Sequence, residues 1–182
     1  MKESTSKKYE ILEDDFILHK GKKLYRIVAI KNISKLVFKG ELGGYVEGYH
    51  NLSQEDVCWI CNDAKVYGNA RIKDIARVYN TAEIFGNAVI KDNARITGEA
   101  KIYGNAEVRG ITWIGKNAEI FGNVTISGNA RVIDSTKVYG NAVIKDDAAV
   151  EYNARIYGNA VIKGDAIVGD NAEVSENTVI KG

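Results

Sequence analysis

From Ala64 to Thr178 every sixth residue is Ala, with Thr112, Val124, Thr136 and Thr178 the exceptions. Two residues after each stands Val or Ile, without a break across twenty hexads from Val66 to Ile180. The hexad reads A-x-[VI]-x-[GDN]-[ND] and contains no insertion or deletion. A strict period of this kind has to be read before anything else, because it dictates the architecture. Six residues suit a short extended segment followed by a corner. Alternation along the segment puts Ala and Val/Ile on one face and aims the intervening residues outward. Gly, Asp and Asn then occupy the corner, where a positive φ is needed and a Cβ is costly. Leucine supports the assignment to strands: all six Leu lie within the first 52 residues, whereas Val and Ile continue to the end. A helical chain would hardly avoid Leu for so long. The absence of Pro agrees, since an unbroken parallel ladder has no central place for a residue lacking N–H.

Columns 18 residues apart are purer than columns six apart, which makes three hexads one coil. Tyr67, Phe85, Tyr103, Phe121, Tyr139 and Tyr157 align, followed by a Gly column from Gly68 to Gly158 and an Asn column from Asn69 to Asn159. On a second side Lys73, Lys91, Arg109, Lys145, Lys163 and Lys181 align, broken only by Ser127. The expected object is a triangular parallel coil with Ala and Val/Ile inside. About 6.6 coils at about 4.8 Å per strand give a prism about 30 Å long. Stacked Asn side chains are expected to hydrogen-bond as a ladder along one corner. A small residue two places before an aliphatic one resembles the hexapeptide left-handed parallel β-helices, so the expected class is all-β, a left-handed β-helix of 6–7 coils. The hexad segment is residues 58–182, and 1–57 is an N-terminal capping segment. Within that cap, a hairpin is expected with strands near 14–18 and 23–30 around a turn at 19–22. Residues 40–53, rich in Gly, read as irregular, and 58–60 as the entry into the repeat. The cap should hide the open edge of the first coil.

The junction Gly43-Gly44-Tyr45-Val46, Asn51-Leu52-Ser53-Gln54 and Cys58-Trp59-Ile60, followed by YGNA-rich hexads, resembles the bacterial YdcK-type proteins, over roughly residues 22–182. Similar short versions are common in phage and prophage sequences. The resemblance implies a left-handed β-helix. It implies little chemistry, because acyltransferase activity is attached to that family on fold grounds alone.

Several function classes lose support on composition and spacing. A formal charge of +1, from 25 basic and 24 acidic residues, argues against general nucleic-acid binding. No run is apolar enough for a signal peptide or a membrane span, so the expected location is the cytoplasm, the host's if the chain is phage-encoded. Acyl transfer on such a coil usually needs a His base and a protruding loop. The hexads contain neither, leaving His19 and His50 of the cap as the bases of an alternative, intersubunit acyltransferase. The same lack of His removes a three-His zinc site. Cys58-Trp59-Ile60-Cys61 matches C-x-x-C, but alternation aims the two thiols apart, so no metal, cofactor or catalytic residue is assigned.

The remaining candidates are surfaces. The aromatic column Tyr67–Tyr157 reads either as rings stacking on one another or as a docking face for a protein or a glycan. The Lys column reads as a solvated face, with Asp74, Asp92 and Asp146 following three of its members and partly neutralising them. Departures from the repeat gather at 109–116 and 133–136. Trp113 should face outward on the third side between Arg95 and Arg131, an arrangement suited to cation–π stacking, with Gly115 leaving room and Ile133 facing the same way. The alternative is an indole lying flat over Gly115 as surface packing. Val143, Val161, Val179 and Ile167 add outward apolar positions. The reading that emerges is a non-enzymatic module that binds a protein partner or itself, with a host protein as partner if the chain is of phage type.

Overall fold

The computed structural model describes residues 7–182. An antiparallel hairpin opens the chain, β1 (Tyr9–His19) and β2 (Lys22–Ala29), joined through Lys20 and Gly21, both at positive φ. The first strand begins earlier than 14 because Tyr9 and Ile11 pair with Ala29 and Ile27 and pack into the core. A bulge interrupts the pairing: Leu12 faces Arg26 and Phe16 faces Tyr25, leaving 13–15 without partners in β2.

Residues 40–53 are not irregular. They contain β3 (Leu42–Val46) and a 3-10 turn (Tyr49–Asn51). Gly43 and Gly44 serve close approach rather than turning. A Cβ on Gly43 would lie 2.5 Å from Ile27 Cγ1, and one on Gly44 2.4 Å from the Ala64 carbonyl oxygen. β3 pairs antiparallel with β2 and parallel with β5 (Lys65–Val66), so the parallel ladder starts upstream of the hexads.

Register places the irregularity within this first turn. Val46 faces Val66 and Leu52 faces Ile72, both 20 residues on, whereas Ile60 of β4 (Trp59–Ile60) faces Val78, 18 residues on. Two extra residues therefore lie between Leu52 and Ile60. Beyond them the 18-residue register holds to the end, for example Lys101 to Glu119 and Val161 to Val179.

Three sheets result, one per side. The first has ten strands, the hairpin pair followed by eight parallel rungs, and the other two have seven each. The eight rungs add one turn to the 6–7 coils that the hexads suggest. The interior is Ala and Val/Ile as expected, buried from Ala64 through Val168. Corner residues take positive φ, as Gly68, Asp74 and Asn80 do in one turn. The Asn ladder forms: each Nδ2 from Asn69 to Asn159 donates to the Oδ1 of the Asn one turn on, at 2.9–3.1 Å, ending on Asn177. The structure is an all-β parallel solenoid with 18 residues per turn. No helix among the described residues is long and apolar enough to cross a membrane.

Candidate functional site

The first side spends its outward groups on itself. Rings from Tyr67 to Tyr157 stack with centroids 4.7–5.1 Å apart and planes within 3–6° of parallel. Their faces are covered by one another and only edges meet solvent, which suits the structural reading and works against a sugar, whose stacking needs an open face. Burial, aided by the bond its hydroxyl donates to Glu119 at 2.9 Å, pushes the Tyr103 phenol up to about 12. The head of the stack is closed by the hairpin turn. His19 meets Tyr67 edge-on, and Glu83 accepts from Lys20 at 2.7 Å and from Tyr67 at 3.2 Å, with His19 Nε2 also 3.2 Å away. His19 is thus a pin between cap and solenoid. His50 plays a similar part, its Nε2 lying 2.7 Å from the Gly68 carbonyl oxygen.

On the second side the carboxylates of Asp74, Asp92 and Asp146 turn to the backbone. They accept from the N–H of Asp92, Gly110 and Gly164 at 2.9, 2.9 and 3.2 Å. The ion pair on this face comes instead from Glu107, 2.8 Å from Lys91. The two thiols are poor nucleophiles. Burial raises Cys58, and burial pushes Cys61 up to about 11. No three of His, Cys, Asp and Glu converge as metal ligands among the described residues.

The third side differs. Strand register sets Arg95, Trp113 and Arg131 in adjacent rungs, as the repeat requires. The expected cation–π contacts do not form. The indole N–H donates to Thr97 Oγ1 at 3.1 Å, and Arg131 is drawn to Glu151 at 2.6 Å. Cation–π contacts among the described residues belong to Lys7, Lys20, Lys23 and Arg26 of the cap. Gly115 is what admits the indole: a Cβ there would lie 2.8 Å from Thr97 Oγ1 and 3.2 Å from Trp113 Nε1. Ile133 is buried beside it and takes no part in the exposed surface.

Trp113 is nonetheless 48% exposed. With Arg95, Thr97, Tyr79 and Ile111 it lines a hollow of about 590 Å³. Arg95 has no side-chain hydrogen bond or ion pair among the described residues. Tyr79 and Ile111 are members of this site that the repeat reading passed over. Each leaves a trace in the sequence, Tyr79 as an aromatic outside the aromatic column and Ile111 as an aliphatic where the hexad calls for a polar corner residue.

The first rungs of this side show what covering it looks like. Trp59 stands in the same outward column as Trp113, three turns earlier, yet is fully buried. Tyr9 meets it edge-on at 6.2 Å, Val37 belongs to the same cluster, and Arg77 on the next rung donates to Ser34 Oγ at 2.9 Å. The cap ends there and the hollow begins one rung on.

No curated protein matches the chain. The family model of the YdcK β-solenoid repeat matches residues 154–170, close to one full turn. With that turn repeated in register along three sheets, the chain is a β-solenoid carrying the YdcK repeat.

Proposed function

We propose that the chain is a non-enzymatic binding module acting through protein–protein contacts, with the third side around Trp113 as its contact surface. The observation that carries this reading is the difference between Trp59 and Trp113, equivalent by register, one covered by chain and the other bare. Tryptophan and arginine are the residues that most often anchor interfaces, and here an exposed indole and an unpaired guanidinium share one hollow. Contact elsewhere has less to work with, since the aromatic faces are stacked and the histidines pin the cap. The likeness of the hexads to phage and prophage sequences directs the reading to a host protein, met in the host cytoplasm and inhibited by occupation of its surface.

The test is retention from a bacterial lysate on immobilised protein, followed by binding of the purified captured protein. Trp113→Ala and Arg95→Ala are expected to lose it, and Lys73→Ala on the second side to keep it. Binding unchanged by both third-side variants overturns the placement of the surface.

A further inference from the structure

We propose that the hollow on the third side receives the hairpin of a second copy of this chain. The inference rests on the third side being a protein-binding surface, and adds what fills it. The hollow asks for two things: an anion for the unpaired Arg95, and an apolar group to cover Trp113 and Ile111, the latter 63% exposed. It asks for no hydrogen-bond acceptor over the indole, whose N–H is already given to Thr97, so an apolar cover leaves no donor stranded.

The bulged β1 strand presents both. Glu13 and Asp14 project from the bulge, exposed and without an ion pair among the described residues; Asp15 alone is spent, on Arg26 at 3.5 Å. Directly after them Phe16 and Leu18 point outward on one face of the strand, 44% and 79% exposed. β1 is also the outer strand of the ten-stranded sheet, so its far edge is open. A bulge on an edge strand re-aims side chains, and here it raises two carboxylates beside two apolar groups. The match is one of charge and of kind: acid and apolar ridge against cation and apolar hollow. The chain itself provides the precedent, because Tyr9 of the same strand already covers Trp59 in the same column.

The two surfaces of one copy do not meet. The hairpin turn is pinned to Glu83 on the first side by Lys20 and His19, away from the third side. The contact is therefore heterologous, ridge to hollow, and leaves each copy with one free ridge and one free hollow. Association of that kind closes into a ring or continues as a filament.

Sedimentation velocity from about 1 to about 300 μM, at low and high salt, tests this over the range of transient interfaces. The weight-average mass of the wild-type chain is expected to rise above 20.0 kDa with concentration, less so in high salt. Trp113→Ala, Arg95→Glu and Asp14→Arg are each expected to weaken association at least about tenfold. All three positions are exposed, and circular dichroism checks that each variant keeps the wild-type fold. The decisive arm mixes Arg95→Glu with Asp14→Arg. Each lacks one surface and retains the other, so the mixture should associate, and the double variant should associate with itself. A wild-type chain that stays at 20.0 kDa throughout overturns the proposal, as does association that survives all three variants or a mixture that stays monomeric. If the chain is monomeric while a purified foreign protein still binds through Trp113, the third side stands as a protein-binding surface and the second copy falls.

Discussion

The ammonium of Lys8 lies 3.2 Å from the thiol sulfur of Cys58, fully inside the first turn, and donates to the carbonyl oxygens of Glu55, Asp56 and Cys58 at 2.9, 3.3 and 3.0 Å. These carbonyls belong to the stretch that carries the two extra residues of that turn. A buried lysine is costly unless its charge is met by acceptors, and here four are gathered around it. Lys8 therefore closes the one irregular loop of the solenoid from within. Lys8→Met keeps the apolar stem and removes the donor; a loss of about 2–4 kcal/mol in urea denaturation is expected, with new proteolysis within 53–57. Unchanged stability would show that the loop is held by other means.

Thr112 and Thr136 occupy equivalent inward positions and should respond to one substitution with opposite signs. The Thr136 hydroxyl donates to the Ile133 carbonyl at 2.5 Å, whereas the buried Thr112 hydroxyl has no partner. Val124 shows that the inward position takes a valine. Thr112→Val is expected to stabilise by about 1 kcal/mol and Thr136→Val to destabilise by about as much. Matching signs in thermal or urea unfolding would refute the assignment.

Tyr103 stands in the middle of the ring stack with a neighbour on each face. Tyr103→Ala removes two ring contacts and should cost about 1–3 kcal/mol, while Tyr103→Phe loses only the bond to Glu119 and should cost about 1 kcal/mol or less. Neither is expected to change partner capture or self-association. A binding defect in Tyr103→Ala at intact stability would return the aromatic face to consideration as a contact surface.

Acid should loosen the cap through Glu83. Burial works to raise this carboxyl, but the bonds from Lys20 and His19, with their charges, outweigh it and hold the group below its ordinary value of 4.5. A carboxyl with a lowered pKa in the folded state adds stability above 4.5 and loses it as pH falls through the folded value. The wild-type protein should therefore lose stability below that pH more steeply than Glu83→Gln, with hydrogen exchange rising first around His19 and Lys20. Parallel acid limbs in the two proteins would remove Glu83 from the account.

Most of the solenoid was open to inspection before any coordinates, because a triangular coil repeats its contacts every 18 residues and prints them as columns. What stayed hidden was the turn that does not repeat. Val46, Leu52 and Ile60 are its three inward aliphatics, yet the two extra residues before Cys58 break the six-residue spacing that would have exposed them. Gly43 and Gly44 mislead in the same place, since a glycine needed for close packing and one needed for a turn are indistinguishable in a sequence. At the candidate site, register is a property of the repeat, so Arg95, Trp113 and Arg131 fell on adjacent rungs as expected. Their contacts are not: Thr97 and Glu151, each off the column, decided where the indole and the Arg131 guanidinium would go.

The ladders running along this molecule make it a ruler. Each rung touches only its neighbours, so one 18-residue turn inserted between Asn80 and Asn93 would leave every column intact. It would carry the bare Trp113 about 4.8 Å further from the covered Trp59 without altering the chemistry of either. A six-residue insertion at the same place would instead hand the aromatic column on to the lysine side. Descent in this architecture thus proceeds in whole turns, and spacing between sites can be selected separately from the sites themselves.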